Sequence, residues 1–175
     1  FISGVSVLLA LAIGTMAAFG FSRYPLKGND SYLFIILTTR MLPAIVVIIP
    51  IFIMFRVTGL AGTYACIIAL YTVFNLPFVV WMMRSYFMGV PAELEESAMV
   101  DGSTRMGVFW RITLPLSFPG LIATGTFAFI FAWTEFLFAV VITRTNAYTL
   151  PVAIAGFSGS QGSNWGQASA LAVVA

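Results

Sequence analysis

Four stretches of this chain run for about twenty residues or more with at most one charge in their interiors, the length needed to cross roughly 30 Å of hydrocarbon. They are Phe1 to Phe21, Ser31 to Arg56 (interrupted by Arg40), Tyr64 to Met83, and Leu116 to Thr143 (interrupted by Glu135). A fifth apolar run begins near Gly166 and stops at Ala175. In a bilayer every backbone N–H and C=O must be paired within the segment, so such runs read as helices. The expected fold is all-α: a polytopic membrane helix bundle, one domain over 1–175, with spans at about 1–21, 31–56, 64–83 and 116–143 and a partial span at 166–175. Composition excludes the soluble alternative. Only 8% of residues are charged and 61% are hydrophobic, against roughly 25% charged in soluble proteins. The sequence opens and closes inside apolar runs, so it reads as a piece truncated at both ends. With no initiating Met and no basic leader, its first run reads as a span rather than a signal peptide.

The same composition narrows the chemistry. There is no His and a single cysteine, Cys66. That leaves no disulfide, no zinc site of ordinary ligand type, and no Ser/His or Cys/His nucleophile pair. No catalytic residue and no metal ligand is assigned, and an enzyme is not expected. The phosphate-cradling pattern G-x-x-x-x-G-K-[ST] is missing from the sequence, so no nucleotide cofactor is expected on this chain. A net charge of +2, scattered along the sequence, gives no footprint for nucleic acid.

Lys and Arg in the connections set the orientation. Arg23 and Lys27 follow the first run, and Arg84, Arg105 and Arg111 fall between the third and fourth, five on one side; Arg56 and Arg144 make two on the other. The five-positive side reads as cytoplasmic. Small residues recur every four positions at Ala10, Gly14 and Ala18, and again at Gly120, Thr124, Ala128 and Ala132, a spacing that lets helix backbones approach closely. Pro43, Pro50 and Pro77 each remove a helix donor, so kinks or open backbone are expected there. Trp81, Trp133, Trp165, Tyr64, Tyr86 and Tyr148 lie near span ends, where interfacial belts place aromatic rings.

Polar residues concentrate in the segment 89–115, which with Arg84 holds seven of the 14 charges. Pro91 suits a first helical turn, Glu93 and Glu95 complement a helix N-terminus, and Gly102 fits a left-handed C-cap. Ser103 or Thr104 can then cap a second helix with Met106, Phe109, Trp110 and Thr113 on one face, closed by Pro115. Four acids on the first of these helices, Glu93, Glu95, Glu96 and Asp101, disfavour an anionic leaflet and favour a protein partner.

The run Glu96-Ser97-Ala98, three residues, Gly102, nine residues, then Ile112-Thr113-Leu114-Pro115 resembles the EAA loop of permease subunits in bacterial binding-protein-dependent ABC importers. Ser97 replaces the family's alanine, small for small. Looser likeness to the carbohydrate-importing branch extends over about residues 20–170, through Arg40-Met41-Leu42-Pro43 with Ile49-Pro50, Trp133-Thr134-Glu135-Phe136, and Tyr148-Thr149-Leu150-Pro151. The resemblance implies a six-helix core whose first helix is missing here, in the bacterial cytoplasmic membrane. It implies a second membrane permease subunit, a cytosolic ABC ATPase dimer that binds and hydrolyses the ATP, and an extracytoplasmic solute-binding protein that delivers sugar. The implied ATPase-coupling residues are Glu95, Glu96, Ser97, Ala98, Asp101, Gly102, Ile112, Leu114 and Pro115, with Glu96 contacting a basic residue of the ATPase.

Three residues inside the spans are candidates for the translocation path: Arg40, Asn75 and Glu135. Charges in lipid are expensive enough to mark function by default. Counting 1.5 Å per residue from Ser31 and from Leu116 puts Arg40 about 14 Å deep and Glu135 about 28 Å deep, too far apart to pair. Asn75, just before Leu76-Pro77, can bond freed backbone groups or face the path. The alternative readings are an ATP-independent channel or secondary transporter, and an intramembrane enzyme; neither accounts for the loop spacing.

Overall fold

The computed structural model describes residues 1–24, 27–143, 148–157 and 165–174, and every described element is helical. In chain order these are α1 (Ile2–Arg23), α2 (Asn29–Met41), α3 (Ala44–Val57), α4 (Tyr64–Met88), α5 (Ala92–Val100), α6 (Arg105–Val108), a π-helical turn (Phe109–Thr113), α7 (Leu114–Leu116), α8 (Phe118–Thr134), α9 (Leu137–Ile142), α10 (Leu150–Gly156) and α11 (Trp165–Val174). The connection holding Arg144, and the Trp165 side chain, lie outside the described residues.

The core is a three-helix unit in which α1 lies along α4 and α8 closes on both. Small residues make this possible. Ala10, Gly14 and Ala18 of α1 and Gly120, Thr124, Ala128 and Ala132 of α8 are all buried, as their four-residue spacing predicts. A Cβ on Gly14 would stand 2.5 Å from Val79 Cγ1, and one on Gly120 would collide with the Tyr86 ring. Backbone therefore touches side chain at both crossings. Two hydroxyls add cross-helix bonds: Ser3 donates to Ala132 O at 3.2 Å and Thr72 donates to Ser6 O at 3.3 Å. Such bonds average ~0.6 kcal/mol within membranes. The outward faces are apolar, with Leu8, Phe34, Ile45, Ile49, Ile53 and Ile122 exposed, as lipid requires.

Helices α1 and α4 are each long and apolar enough to cross a membrane. The other two long apolar stretches differ from straight spans. The stretch 31–56 is two helices, α2 and α3, bent by 89°. Pro43 explains the break: it drives Leu42 into extended conformation (φ −62°, ψ 128°) and starts α3 with no donor of its own. Pro50 and Pro77 lie within continuous helices, so of the three prolines only Pro43 stands at a helix break. The stretch 116–143 likewise divides. Ser117 separates α7 from α8, with a bend of 76° between Arg105–Leu116 and Phe118–Thr134, and Glu135 in extended conformation separates α8 from α9.

Candidate functional site

The polar loop forms because its caps are in the right places. Pro91 precedes α5, and Glu93 and Glu95 lie in its first turn, complementing the helix dipole. At the other end Gly102 adopts φ +87°, Ser103 N–H donates to Ala98 O at 2.9 Å, and Gly102 N–H donates to Met99 O at 3.1 Å. This is a Schellman closure, in which a left-handed residue turns the chain away while satisfying the last carbonyls. Replacing Gly102 with Ala is expected to destabilise the loop by about 1–2 kcal/mol, the strain of a Cβ at positive φ. Faster protease cleavage of the loop in the folded protein would measure it, and unchanged cleavage would refute it. Thr104 caps α6, its hydroxyl accepting from Gly107 N–H at 3.1 Å.

Beyond Val108 the helix widens. Pro115 offers no N–H to Arg111 O, and Leu114 N–H reaches back five residues to Phe109 O, closing a π turn. The wider turn divides the face expected from Met106, Phe109, Trp110 and Thr113. Phe109 and Thr113 are buried, whereas Met106 and Trp110 are more than half exposed. Nor does Pro115 end the helix, which runs on to Leu116.

Within the loop, adjacent carboxylates have opposite surroundings. Glu95 is buried, and Arg23 at the end of α1 grips it through Nε, 2.9 Å from each carboxylate oxygen, and through Nη2, 2.8 Å from Oε1. The Thr113 hydroxyl donates to the same Oε1 at 2.8 Å, and Arg23 Nη2 also donates to Val90 O at 2.9 Å. Beneath this group Phe19, Phe87 and Phe109 form a ring cluster, with centroids 5.0 to 6.1 Å apart, joining α1, α4 and the π turn. One residue on, about 100° around the helix, Glu96 faces out. With Glu93, Ser97 and Val100 it forms an exposed stripe on α5, and Asp101 and Gly102 are exposed at its end. Ala98, Ile112 and Leu114 are half-buried, and Pro115 is exposed. Glu95 is therefore an internal anchor, and the outward acids of the stripe are Glu93 and Glu96.

The three path candidates also come together. Arg40, Asn75 and Glu135 line one cavity of about 290 Å³, with Tyr71, Phe74, Phe131, Thr134 and Phe138 among its walls. The depth count separated Arg40 from Glu135 because it started both stretches at one level. Asp30, at the start of α2, pairs with Arg84 while Gly120, early in α8, packs on Tyr86, so the two stretches do not start from one level along α4. Even so, Arg40 and Glu135 form no ion pair among the described residues. The Arg40 guanidinium lies over Phe131 at 4.4 Å and Phe78 at 5.1 Å, and its Nη1 is buried without a hydrogen-bond partner. Glu135 accepts from Tyr71 OH at 3.1 Å and from the N–H groups of Phe138 and Ala139, which opens α9. The Asn75 amide donates to Tyr71 O at 3.1 Å, so it both bonds backbone and lines the cavity. Sequence reading did not single out Tyr71, or give Arg23 or Thr113 a role at the site. Arg23 was visible as one of the five positive residues, but nothing local ties it to Glu95, 72 positions away.

The fold is one found in solved ABC transporters. It superimposes on a bacterial ABC transporter involved in the import of the acidic polysaccharide alginate, with a TM-score of 0.77 and 26% identity, covering 99% of this chain and 61% of that one. A methionine ABC transporter in an inward-facing conformation shares the fold at a TM-score of 0.76 and 20% identity, covering 99% and 82%. Residues 10–175 match the family of binding-protein-dependent transport system inner membrane components, and the chain belongs to that family. Among curated relatives, a probable ABC transporter permease of Sinorhizobium fredii is 36% identical over 96% of this chain and 60% of its own length. The trehalose transport system permease of Mycobacterium tuberculosis is 35% identical over 89% and 57%, and the trehalose/maltose transport system permease of Thermococcus litoralis 35% over 99% and 63%. The chain thus spans about 60% of the length of the relatives it matches.

Proposed function

We propose that this chain is the core of a sugar-importing permease subunit of the bacterial inner membrane, driven by a separate cytosolic ATPase dimer. A second membrane permease subunit completes the pore, and an extracytoplasmic solute-binding protein delivers the sugar. The observation that carries this reading is the loop 89–115, whose α5 is held from within by Glu95 and presents Glu93, Glu96 and Ser97 outward. Bare Val100, Met106 and Trp110 beside those acids suit a protein cleft better than water. The sugar assignment is supported by the trehalose and trehalose/maltose relatives. ATP turnover belongs to the partner.

The test is to purify the full-length protein with its native partners, reconstitute it in vesicles, and follow uptake of trehalose and maltose with and without enclosed ATP. Co-elution of an ATPase and strictly ATP-dependent uptake of either sugar is the expected result. Uptake without the ATPase would establish a channel or secondary transporter instead. We place the cavity lined by Arg40, Asn75 and Glu135 on the solute path, where the guanidinium on its wall would give its unpartnered donor to a sugar hydroxyl once the site opens. Arg40→Gln is expected to slow ATP-driven uptake about tenfold, the effect of one lost charge-assisted hydrogen bond of ~1.5 kcal/mol. An unchanged rate in the assembled variant would take Arg40 off the path.

A further inference from the structure

We infer that Arg23, Glu95 and Thr113 form the joint that carries displacement of the loop into the first described helix, making Arg23 and Thr113 positioning residues for energy coupling. The inference rests on the reading that the loop docks on an ATPase. It goes beyond that reading by naming where, inside this chain, the movement is passed on.

A force applied to α5 can reach the membrane by two routes. One runs along the backbone, through Gly89 and Val90 to α4 on one side and through the π turn to α8 on the other. Both ends of the loop therefore connect covalently to the helices that flank it, but neither connection reaches α1. The second route is the side-chain cluster. Glu95 sits on the inward face of α5, Arg23 ends α1, and Thr113 closes the π turn, and all three meet at one carboxylate.

The geometry of that meeting is stiff. Arg23 Nε approaches both carboxylate oxygens at 2.9 Å while its Nη2 holds Oε1 at 2.8 Å and Val90 O at 2.9 Å. A planar guanidinium held on three acceptors at two places in the loop resists both sliding and rotation, unlike a flexible ammonium. The side chains of Arg23 and Glu95 are only 14% and 8% exposed, and Thr113 is fully buried, so water does not compete for these bonds. One helical turn before Arg23, Phe19 packs on Phe109 at 5.0 Å, and Phe109 lies one turn before Thr113. Polar and aromatic contacts thus pair α1 with the π turn at two successive levels. Since α1 lies along α4 and touches α8, it binds both flanking helices into one body that moves with the loop.

The experiment uses the complete reconstituted importer and reads sugar molecules moved per ATP hydrolysed, together with ATPase retention and the thermal midpoint of the complex. Arg23→Lys keeps the charge but removes the planar fork, and Thr113→Val removes one hydrogen bond at constant shape. Both are expected to keep ATPase bound and turning over within about twofold of wild type while the sugar-to-ATP ratio falls severalfold. An anchor that merely held the fold would lower the midpoint and ATP turnover together and leave that ratio intact. The further variant Arg23→Cys with Glu95→Cys, in a Cys66→Ser background, is expected to be uncoupled when reduced. It should regain coupling when the two thiols are bridged by a short bifunctional reagent. Wild-type sugar-to-ATP ratios in Arg23→Lys and Thr113→Val, or failure of the bridge to restore coupling, would overturn the inference. Loss of the ATPase from the wild-type loop would instead overturn the docking reading on which it stands.

Discussion

Replacing Gly14 with Leu will prevent α1 from seating on α4. The Cβ alone would come within 2.5 Å of Val79 Cγ1 and 3.0 Å of Val79 Cβ, closer than real carbon atoms approach. Val79 is fully buried, and its branched side chain has essentially one rotamer in a helix, so it cannot swing aside. Ala10 and Ala18, one turn either side, are also fully buried and hold the backbones at the same separation. Overpacking by a single methyl in such a setting costs about 1–3 kcal/mol, and the three further carbons of Leu have nowhere to go. The measurable outcome is loss of folded, assembled protein in Gly14→Leu and a lowered thermal midpoint in Gly14→Ala. Gly20→Ala is the control, because a Cβ there meets nothing within 4 Å. Combining Gly14→Ala with Val79→Ala should recover part of the loss, by the ~0.5–3 kcal/mol expected for side chains in contact. If Gly14→Ala and Gly20→Ala melt alike, the close crossing of α1 and α4 is refuted.

Glu96→Lys is expected to have the largest functional effect. Glu96 is exposed and makes no hydrogen bond or ion pair among the described residues, so its reversal leaves the fold of the loop intact. A charge-assisted contact to a partner's basic residue is worth about 1.5–3 kcal/mol, or roughly ten- to hundredfold in affinity. Reversal replaces that attraction with repulsion, so ATPase retention by the purified permease should fall at least that far, with membrane insertion unchanged. Wild-type assembly and uptake in Glu96→Lys would remove Glu96 from the docking surface. Neighbouring Glu95 should behave differently. Truncating it to Ala leaves Arg23 buried and unpaired, which typically costs ~3–5 kcal/mol, so that variant should lose thermal stability where Glu96→Lys does not.

Much of this protein was legible because the bilayer leaves so few solutions. Long uncharged runs must be helices, and a four-residue spacing of Ala and Gly must mark the face where helices touch; Ala10, Gly14, Ala18 and Ala128 are all buried. The caps of α5 and α6 were equally local, since Gly102 and Thr104 act on bonds within five residues. The loop spacing from Glu96 to Pro115 could be read for the same reason, and the family match over residues 10–175 agrees with it.

Other features were settled by contacts between residues far apart in sequence. Three prolines looked equivalent, and only Pro43 breaks the chain, because Pro50 and Pro77 are held inside helices. Glu95 and Glu96 are identical side chains on neighbouring positions. Which one is consumed in the interior depends on where α1 ends, since Arg23 lies 72 residues upstream. Arg40 and Glu135 share a cavity because the start of α2 lies beside Arg84, well along α4, a level no count of residues could supply. Helix formation, capping and facial periodicity are decided over a few residues by backbone hydrogen bonds and the low dielectric of lipid. The depth at which each helix sits, and which of two adjacent acids turns inward, depend on how separate helices pack against one another, and only the assembled bundle fixes that.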